Sequence, residues 1–216
     1  MSLGSGRYYT TQPTIDSWGT SIKSAIDAGI MVVAASGNDS YTNSMALPAA
    51  YQNVVSVGAV YDSNFGSFGS DATTQADKVT YFSNSASFLT LLAPGSQIAS
   101  AGITQSGTSQ ATPHVAGAAA LLRANYPGDS VAQLVSRLVQ SPAPQITDSR
   151  NGLVFPRLDL MAALPSPGTI GFTSASRSGS EIMGSVTLNV ARTTGTVGSV
   201  GVNYSTTGGT ATAGSD

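Results

Sequence analysis

The sequence lacks cysteine and contains a single histidine, His114. Without cysteine no disulfide can form, so cysteine usage gives no indication of the redox compartment. A zinc site is disfavoured as well, because thiolates and several imidazoles are the usual zinc ligands. The lone histidine also matters for catalysis, since a serine nucleophile needs a base and an acid that orients the base.

Charged residues are scarce. Asp, Glu, Lys and Arg make up 9% of the 216 residues, where about 25% is usual. The net charge of −2 argues against a nucleic-acid partner or an anionic membrane surface. No apolar run approaches the roughly 20 residues of a membrane span, and Met1 is not followed by the regions of a signal peptide. Gly, Ser and Thr replace the charges, as is common in exported proteins, so we expect an extracellular or cell-surface parent protein.

Among the segments that are present, residues 106–117 are the most informative and read Ser-Gly-Thr-Ser-Gln-Ala-Thr-Pro-His-Val-Ala-Gly. Gly107 provides a flexible backbone before Ser109, and Thr108 is predicted to cap a helix of small apolar residues that is buried against other backbones. Ser109 then lies at the positive end of that helix, where unpaired N–H groups favour a developing negative charge. This position suits a nucleophile that attacks a carbonyl group.

His114 is the obvious candidate base, but its spacing argues against that role. It follows Ser109 by five residues, which at about 100° per helical residue places it roughly 140° away around the helix. It therefore cannot reach the Ser109 hydroxyl while both residues are helical. We expect His114 to be a packed, hydrogen-bonded structural residue and not a metal ligand.

A second element ends in a polar turn. Residues 30–34 are five consecutive apolar residues, which predict a strand buried on both faces, as in a parallel sheet. The turn after it contains Asn38, at the carboxyl end of the strand, where catalytic groups of open α/β sheets gather. Taken alone, Asn38 is better interpreted as an ordinary turn residue.

Two further segments frame this strand. Apolar residues at helical spacing from 15 to 26 predict a crossover helix that is capped by Thr14 or Asp16 and stops at Gly29, with Trp18 in the core. Residues 61–78 are polar and rich in Gly and Ser, which predicts a surface loop. Its carboxylates lack the tight spacing of a metal site, so we expect solvated side chains at Asp62, Asp71 and Asp77.

These segments, in this order, resemble the subtilisin-like serine proteases, the subtilases. The resemblance continues through residues 53–60, 81–84, 91–95 and 155–164. It implies peptide-bond hydrolysis through an acyl-enzyme on Ser109, with Asn38 as an oxyanion donor. It also implies polypeptide substrates, no catalytic cofactor and a structural role for His114.

The resemblance further implies a substrate cleft. Residues 2–4 resemble the edge along which an extended peptide adds as a strand, and residues 35–37 match the opposite wall of the primary specificity pocket. Small side chains there leave room for a large substrate side chain. The implied lining residues are Ser2, Leu3, Gly4, Ala35, Ser36 and Gly37.

The pattern changes after residue 164. Residues 165–168 read Pro-Ser-Pro-Gly, a linker signal. Beyond it, apolar residues alternate with polar ones at 186–190 and again at 200–204, which predicts antiparallel strands with one buried face. The predicted fold is therefore an incomplete α/β subtilisin-like parallel sheet flanked by helices over residues 1–164. A partial antiparallel β-sandwich follows it over residues 169–216.

This tail resembles the opening of a Calx-beta domain on residues 184–188 and 209–216. In that family, positions matching Glu181 and Asp216 can bind calcium. Two carboxylates are too few for the roughly 6–8 oxygen ligands of calcium. We therefore expect calcium binding only in a longer parent protein.

In subtilases the catalytic order is Asp, His and then Ser, which places both missing partners before Met1. We expect a chain cut at both ends, with negligible protease activity on its own. Two alternatives stay open. One is a non-catalytic, calcium-dependent binding or adhesion module carried by the tail. The other is a degenerate pseudoprotease, which the intact Ser109 and Asn38 argue against.

Overall fold

A computed structural model of the chain describes residues 1–140, 143–166, 168–180, 184–195, 198–205 and 207. The chain divides into two compact units, unit 1 (Met1–Leu164) and unit 2 (Pro165–Asp216). None of the helices within these described ranges is sufficiently long and apolar to span a membrane.

Unit 1 alternates strands and helices along the chain. Its elements are β1 (Tyr8–Tyr9), α1 (Ser17–Asp27), β2 (Val33–Ala35), β3 (Met45–Ala46), β4 (Val55–Val60), β5 (Leu91–Pro94), β6 (Ile98–Ser100), β7 (Ile103–Gln105), α2 (Thr108–Asn125), α3 (Val131–Val139), β8 (Gln145–Thr147), β9 (Val154–Pro156) and α4 (Leu160–Ala163).

The centre of unit 1 is a parallel sheet in the order β2-β4-β5. Every residue of β4 is buried, as expected for a strand covered on both faces. The strand predicted over residues 30–34 is observed as β2, which starts only at Val33. Ile30 is 56% exposed, because its N–H donates to the Ala25 carbonyl at 3.0 Å and it belongs to the turn that leaves α1.

Helix α1 begins and ends where the sequence predicts. Asp16 is the N-cap and accepts from the Gly19 N–H at 2.8 Å, and Gly29 turns the chain with a φ of +80°. The prediction that Trp18 lies in the core is wrong, since this residue is 38% exposed. The inward face is formed instead by Gly19, where a Cβ atom would lie 2.9 Å from the Tyr51 ring, and by Ile22.

Helix α2 differs from the prediction in its cap and in its burial. Its N-cap is Gly107, and Thr108 is the first helical residue, because the Thr108 side chain is engaged by the loop after β2. Only one face of α2 is buried, at Ala111, Val115, Ala118 and Leu122. The opposite face is exposed, at Ala116, Gly117, Ala120, Leu121 and Ala124.

Two hydrophobic clusters cover the two faces of the parallel sheet. Successive residues of a strand point to opposite faces, so Val33 belongs to the cluster that contains α2 and α3, and Ala34 belongs to the cluster that contains Ile22 of α1. The crossover helix and the later helices therefore pack on opposite sides of β2.

The loop over residues 61–78 is tied down by its carboxylates. The buried Tyr61 donates its hydroxyl to Asp71 at 2.6 Å, and Lys78 pairs with Asp71 at 2.6 Å. Asp77 pairs with Arg157 at 2.8 Å. The expectation of solvated carboxylates is thus wrong for Asp71 and Asp77, because cations from the loop and from the end of β9 reach them.

The described residues of unit 2 form one antiparallel pair, β10 (Thr169–Phe172) with β11 (Val190–Thr193). The strand predicted over residues 186–190 begins only at Val190. Residues 200–204 form no strand, since a strand needs a hydrogen-bonded neighbour and the described residues offer none there. Tyr204 is 89% exposed, and no described residue of unit 2 is buried. The α/β class, with a parallel sheet followed by antiparallel strands, is confirmed.

Candidate active site

The loop that follows β2 meets the first turn of α2. The Asn38 Oδ1 accepts from the Thr108 N–H at 2.8 Å and from the Thr108 Oγ1 at 3.0 Å. A backbone N–H can only donate, so the amide oxygen must face Thr108. The Nδ2 group of Asn38 is left with two donors and has no hydrogen-bond partner among the described residues.

Gly37 allows this approach of loop and helix. Its N–H donates to the Thr108 Oγ1 at 3.2 Å, so the Thr108 hydroxyl connects the backbone of Gly37 to the side chain of Asn38. The φ of Gly37 is +112°, and a Cβ atom there would lie 2.3 Å from the Nδ2 of Asn84. Any other residue would therefore disturb the loop.

Asn84 is a supporting residue that the sequence did not reveal. It is fully buried, and its Oδ1 accepts from the N–H groups of Asp39 at 2.9 Å and Tyr41 at 3.0 Å. Its Nδ2 donates to the Asp39 carboxylate at 3.1 Å. Residues 81–84 carry part of the family resemblance, but no sequence pattern distinguishes a buried asparagine that organises a loop from one at the surface.

A buried ion pair fixes the segment that carries Asn84. Arg150 donates from Nη1 to the carbonyls of Tyr81 at 3.0 Å and Ser83 at 2.8 Å, and from Nη2 to the buried Asp148 at 2.7 Å. Burial acts to raise the pKa of Asp148, but the hydrogen bonds and charge of Arg150, with a hydrogen bond from Ser85, outweigh it and lower the pKa. The carboxylate therefore stays ionised.

Ser109 lies in the first turn of α2 and is partly exposed. Its Oγ donates to the Ser2 carbonyl at 3.3 Å, and the Ser2 Oγ donates to the Ser109 carbonyl at 2.9 Å. Met1 lies beside β2, where its ammonium donates to the Val33 carbonyl and its own carbonyl accepts from the Ala35 N–H at 3.3 Å. The first residues of the chain thus border the serine on the side of β2.

A cleft of about 270 Å³ lies between these segments. Its lining residues are Leu3, Gly4, Ser5, Gly6, Tyr8, Ala35, Gly37, Asn38, Asp39, Ala46, Thr108 and Ser109. Two residues that the sequence assigned to the cleft are not among them. Ser36 is fully buried and donates to the Asn84 carbonyl at 2.8 Å, and Ser2 contacts Ser109 instead.

His114 is hydrogen-bonded, as expected, but it is exposed and not packed. Its Nδ1 lies 2.8 Å from the Gln110 carbonyl. A carbonyl only accepts, so Nδ1 carries a proton and donates to it. The ring borders a second cavity, of about 510 Å³, next to Ser109. No hydrogen bond joins His114 to Ser109 among the described residues.

Comparison with known proteins identifies the family of the chain. The profile of the subtilase family matches residues 1–157. The chain belongs to the subtilase family. The remainder of the chain, residues 165–216, matches the Calx-beta domain.

Two curated relatives of this subtilase chain illustrate the match. The extracellular serine proteinase of Thermus sp. (strain Rt41A) is 37% identical over 153 residues, which are 68% of this chain and 32% of that protein. Subtilisin DY of Bacillus licheniformis is 36% identical over 177 residues, covering 68% of this chain and 60% of that protein. The chain therefore spans between a third and three fifths of the length of these relatives.

Solved structures agree with the family. A cold-adapted subtilisin-like serine proteinase superposes with a TM-score of 0.56 at 35% identity, over 73% of this chain and 52% of that one. The prenylagaramide maturation protease PagA gives a TM-score of 0.60 at 27% identity, over 76% of this chain and 59% of that one.

The Calx-beta match raises the question of calcium. Glu181 and Asp216 lie outside the described residues. The described part of unit 2 contains no carboxylate side chain, and no group of three or more His, Asp or Glu residues in the described chain is arranged to hold a metal. These residues alone do not fit the oxygen-rich shell that calcium requires.

Proposed function

We propose that Ser109 is the nucleophile of a serine endopeptidase site and that Asn38 and the Ser109 N–H form its oxyanion hole. The observation that carries this proposal is the fixed orientation of the Asn38 amide. Thr108 holds the oxygen with two donors, which leaves Nδ2 free in the cleft that Ser109 also lines. The Ser109 N–H belongs to the first helical turn, where N–H groups have no intrahelical partner.

The chemistry follows from these positions. An extended polypeptide enters the cleft with its backbone along Leu3 and Gly4 and its side chain between that edge and Ala35 and Gly37. The Ser109 Oγ attacks the scissile carbonyl and gives up its proton to a base. The negative charge that develops on the carbonyl oxygen is then stabilised by the two N–H donors. The base then returns the proton to the amine nitrogen as the C–N bond breaks, which leaves an acyl-enzyme on Ser109 that water hydrolyses.

We propose that this chemistry uses no metal or cofactor, since protein groups supply the nucleophile, the oxyanion donors and the substrate edge. We propose that Ser2 and Ser36 hold neighbouring residues of the site in place and do not line the cleft. Ser2 holds the Ser109 carbonyl, and Ser36 holds the Asn84 carbonyl behind the loop of Asn38.

The isolated chain is proposed to be inactive. The Ser109 proton is donated to a carbonyl, which is no base, and His114 points its protonated nitrogen at Gln110. Loss of the histidine of a Ser-His-Asp triad lowers turnover by about 10⁶-fold. A base and an orienting acid supplied from outside these 216 residues are therefore part of the proposal.

The test is a fluorogenic peptide assay on the purified chain, with Ser109→Ala as its control. We expect no turnover above the control. Turnover that the substitution abolishes would refute the proposed inactivity. In a longer form that supplies an Asp and a His, Ser109→Ala is expected to abolish activity. In the same form, Asn38→Ala is expected to lower kcat by about 10²–10³-fold with little change in KM.

We also propose an extracellular or cell-surface parent protein and a division into a protease part (1–164), a linker (165–168) and a Calx-beta-like part (169–216). The printed name of the Thermus relative, an extracellular serine proteinase, supports the first point. The boundary between compact units after Leu164 supports the second.

A further inference from the structure

The cleft beside Ser109 contains one charged side chain, that of Asp39. Six ion pairs join other aspartates to Arg or Lys, and none of those formed by described residues involves Asp39. Its carboxylate is therefore an uncompensated negative charge at the place where a substrate side chain enters. The remaining lining is neutral.

The Asp39 carboxylate is held in place from behind. The buried Asn84 donates from Nδ2 to the carboxylate at 3.1 Å and accepts from the Asp39 N–H at 2.9 Å. A carboxylate offers about four acceptor positions, so the donors from Asn84 and Tyr8 leave about half of them available. Because the position is fixed before any ligand arrives, little ordering entropy opposes an ion pair there.

An aromatic ring stands next to this charge. Tyr8 lines the same cleft, and its ring packs edge-on against Tyr41 with 4.7 Å between ring centroids. The hydrogen bond to Asp39, and then partial burial, raise the pKa of Tyr8 above its ordinary value. A carboxylate beside an aromatic ring is a favourable setting for a guanidinium, which pairs in its plane and stacks on its face.

The cleft also has room for a long side chain. Its floor includes the methyl group of Ala46 and the backbone of Gly37, and its volume is about 270 Å³. We propose that Asp39 is a specificity-determining residue and that the cleft selects a cationic substrate side chain, arginine above all, in a polypeptide. This proposal rests on the proposed peptidase site and names the substrate class of that site.

Binding tests the proposal without any need for turnover. Two acetylated tetrapeptide amides, Ala-Ala-Pro-Arg and Ala-Ala-Pro-citrulline, differ in charge but hardly in shape, and both are titrated into the full chain by NMR. We expect the arginine peptide to bind about tenfold more tightly, and the difference to shrink as salt is added. Equal affinity of the two peptides would overturn the proposal.

Matched variants locate the effect. Asp39→Asn keeps an oxygen for Asn84 and removes the charge, so it should abolish the preference, and the two peptides should then bind with equal affinity. Asp62→Asn makes the same change of charge on an exposed residue outside the cleft and should retain the preference. A preference that survives Asp39→Asn would show that another group carries it and would overturn the assignment. If Asp39→Asn does not fold, the comparison of the two peptides on the unmodified chain still decides.

The outcomes separate this inference from the proposed function. If both peptides bind with equal affinity, the proposed charge preference is wrong and the proposed peptide cleft is unaffected. No binding of either peptide, at concentrations where a folded chain is verified by Trp18 fluorescence, contradicts the cleft itself and with it both proposals.

Discussion

Unit 1 and unit 2 contain similar apolar side chains but give them different surroundings. Leu92 in β5 is 0% exposed and belongs to the buried cluster that contains Ile22 of α1, whereas Leu188, just before β11, is 57% exposed. Both residues stand in runs that favour strands. The difference shows that an apolar pattern predicts a strand only where a second layer is present to cover it.

The same difference holds for polar groups. In unit 1, Thr108 donates to Asn38 across 70 positions of sequence, and Asp39 donates to Asn84 across 45. The hydrogen bonds between strands in unit 2 join β10 and β11. A site that needs several fixed groups is thus expected in unit 1. Four experiments test the difference between the two units.

The largest effect is expected from one substitution made in each unit. Leu92→Ala should lower the free energy of unfolding by about 4 kcal/mol, because it leaves a cavity in a closed core. Leu188→Ala should change it by less than about 0.5 kcal/mol. The measurement is urea unfolding followed by the fluorescence of Trp18, the only tryptophan, which reports on unit 1. Equal effects of the two substitutions would contradict the contrast in burial.

The next effect concerns acid. Asp148→Asn should cost about 3 kcal/mol at pH 7, because it leaves Arg150 without its buried partner. The lowered pKa of Asp148 stabilises the fold above the ordinary aspartate value of about 3.9, and this stability is lost as pH falls through the folded-state pKa. Between pH 7 and pH 2, the free energy of unfolding should therefore change less with pH for Asp148→Asn than for the unmodified chain. Asp27→Asn, on the surface, is the control and should cost less than about 0.5 kcal/mol.

A smaller effect is expected from the glycine behind Asn38. Gly37→Ala should cost about 2 kcal/mol, because it imposes a strained φ and a contact with Asn84. Gly184→Ala also meets a positive φ, but nothing lies within 4 Å of the added Cβ. It should leave the Trp18 transition unchanged. A Gly37→Ala chain with unaltered stability would mean that the loop can move away from Asn84.

The smallest effect tests the proposed boundary. A chain ending at Leu164 should retain the thermal midpoint of the Trp18 signal to within about 2 °C, since a shift of that size corresponds to less than about 1 kcal/mol. A larger fall would mean that unit 2 stabilises unit 1 and that the two are not independent.

Much of unit 1 could be predicted because its signals are local. The cap at Asp16, the stop at Gly29 and the buried run that became β2 depend on neighbouring residues, and so does the turn at Asn38. The family resemblance supplied the order of these pieces. Leu3 and Gly4 could be assigned to the cleft only through the family resemblance and their spacing to Asn38, because the short motif alone is weak.

The remainder depends on contacts between distant residues, which no local pattern contains. Tertiary contacts determine that Ser36 is buried, that Trp18 is exposed and that Asn84 supports a loop. Asp71 and Asp77 were expected in solvent for the same reason, since their cationic partners were not apparent from spacing. In unit 2 the alternation predicted more strand than the described residues form.

The hydrogen bonds from Thr108 to the amide oxygen of Asn38 also affect how such a site can evolve. One residue both opens the helix of Ser109 and selects which atom of Asn38 faces the cleft. A single substitution of Thr108 would therefore displace Ser109 and also release the Asn38 amide to rotate. Replacement of Asn38 by aspartate would set a negative oxygen where a hydrogen-bond donor had been. Positions 38 and 108 are therefore expected to persist or to change as a pair in descendants of this sequence, with few viable intermediates between the two states.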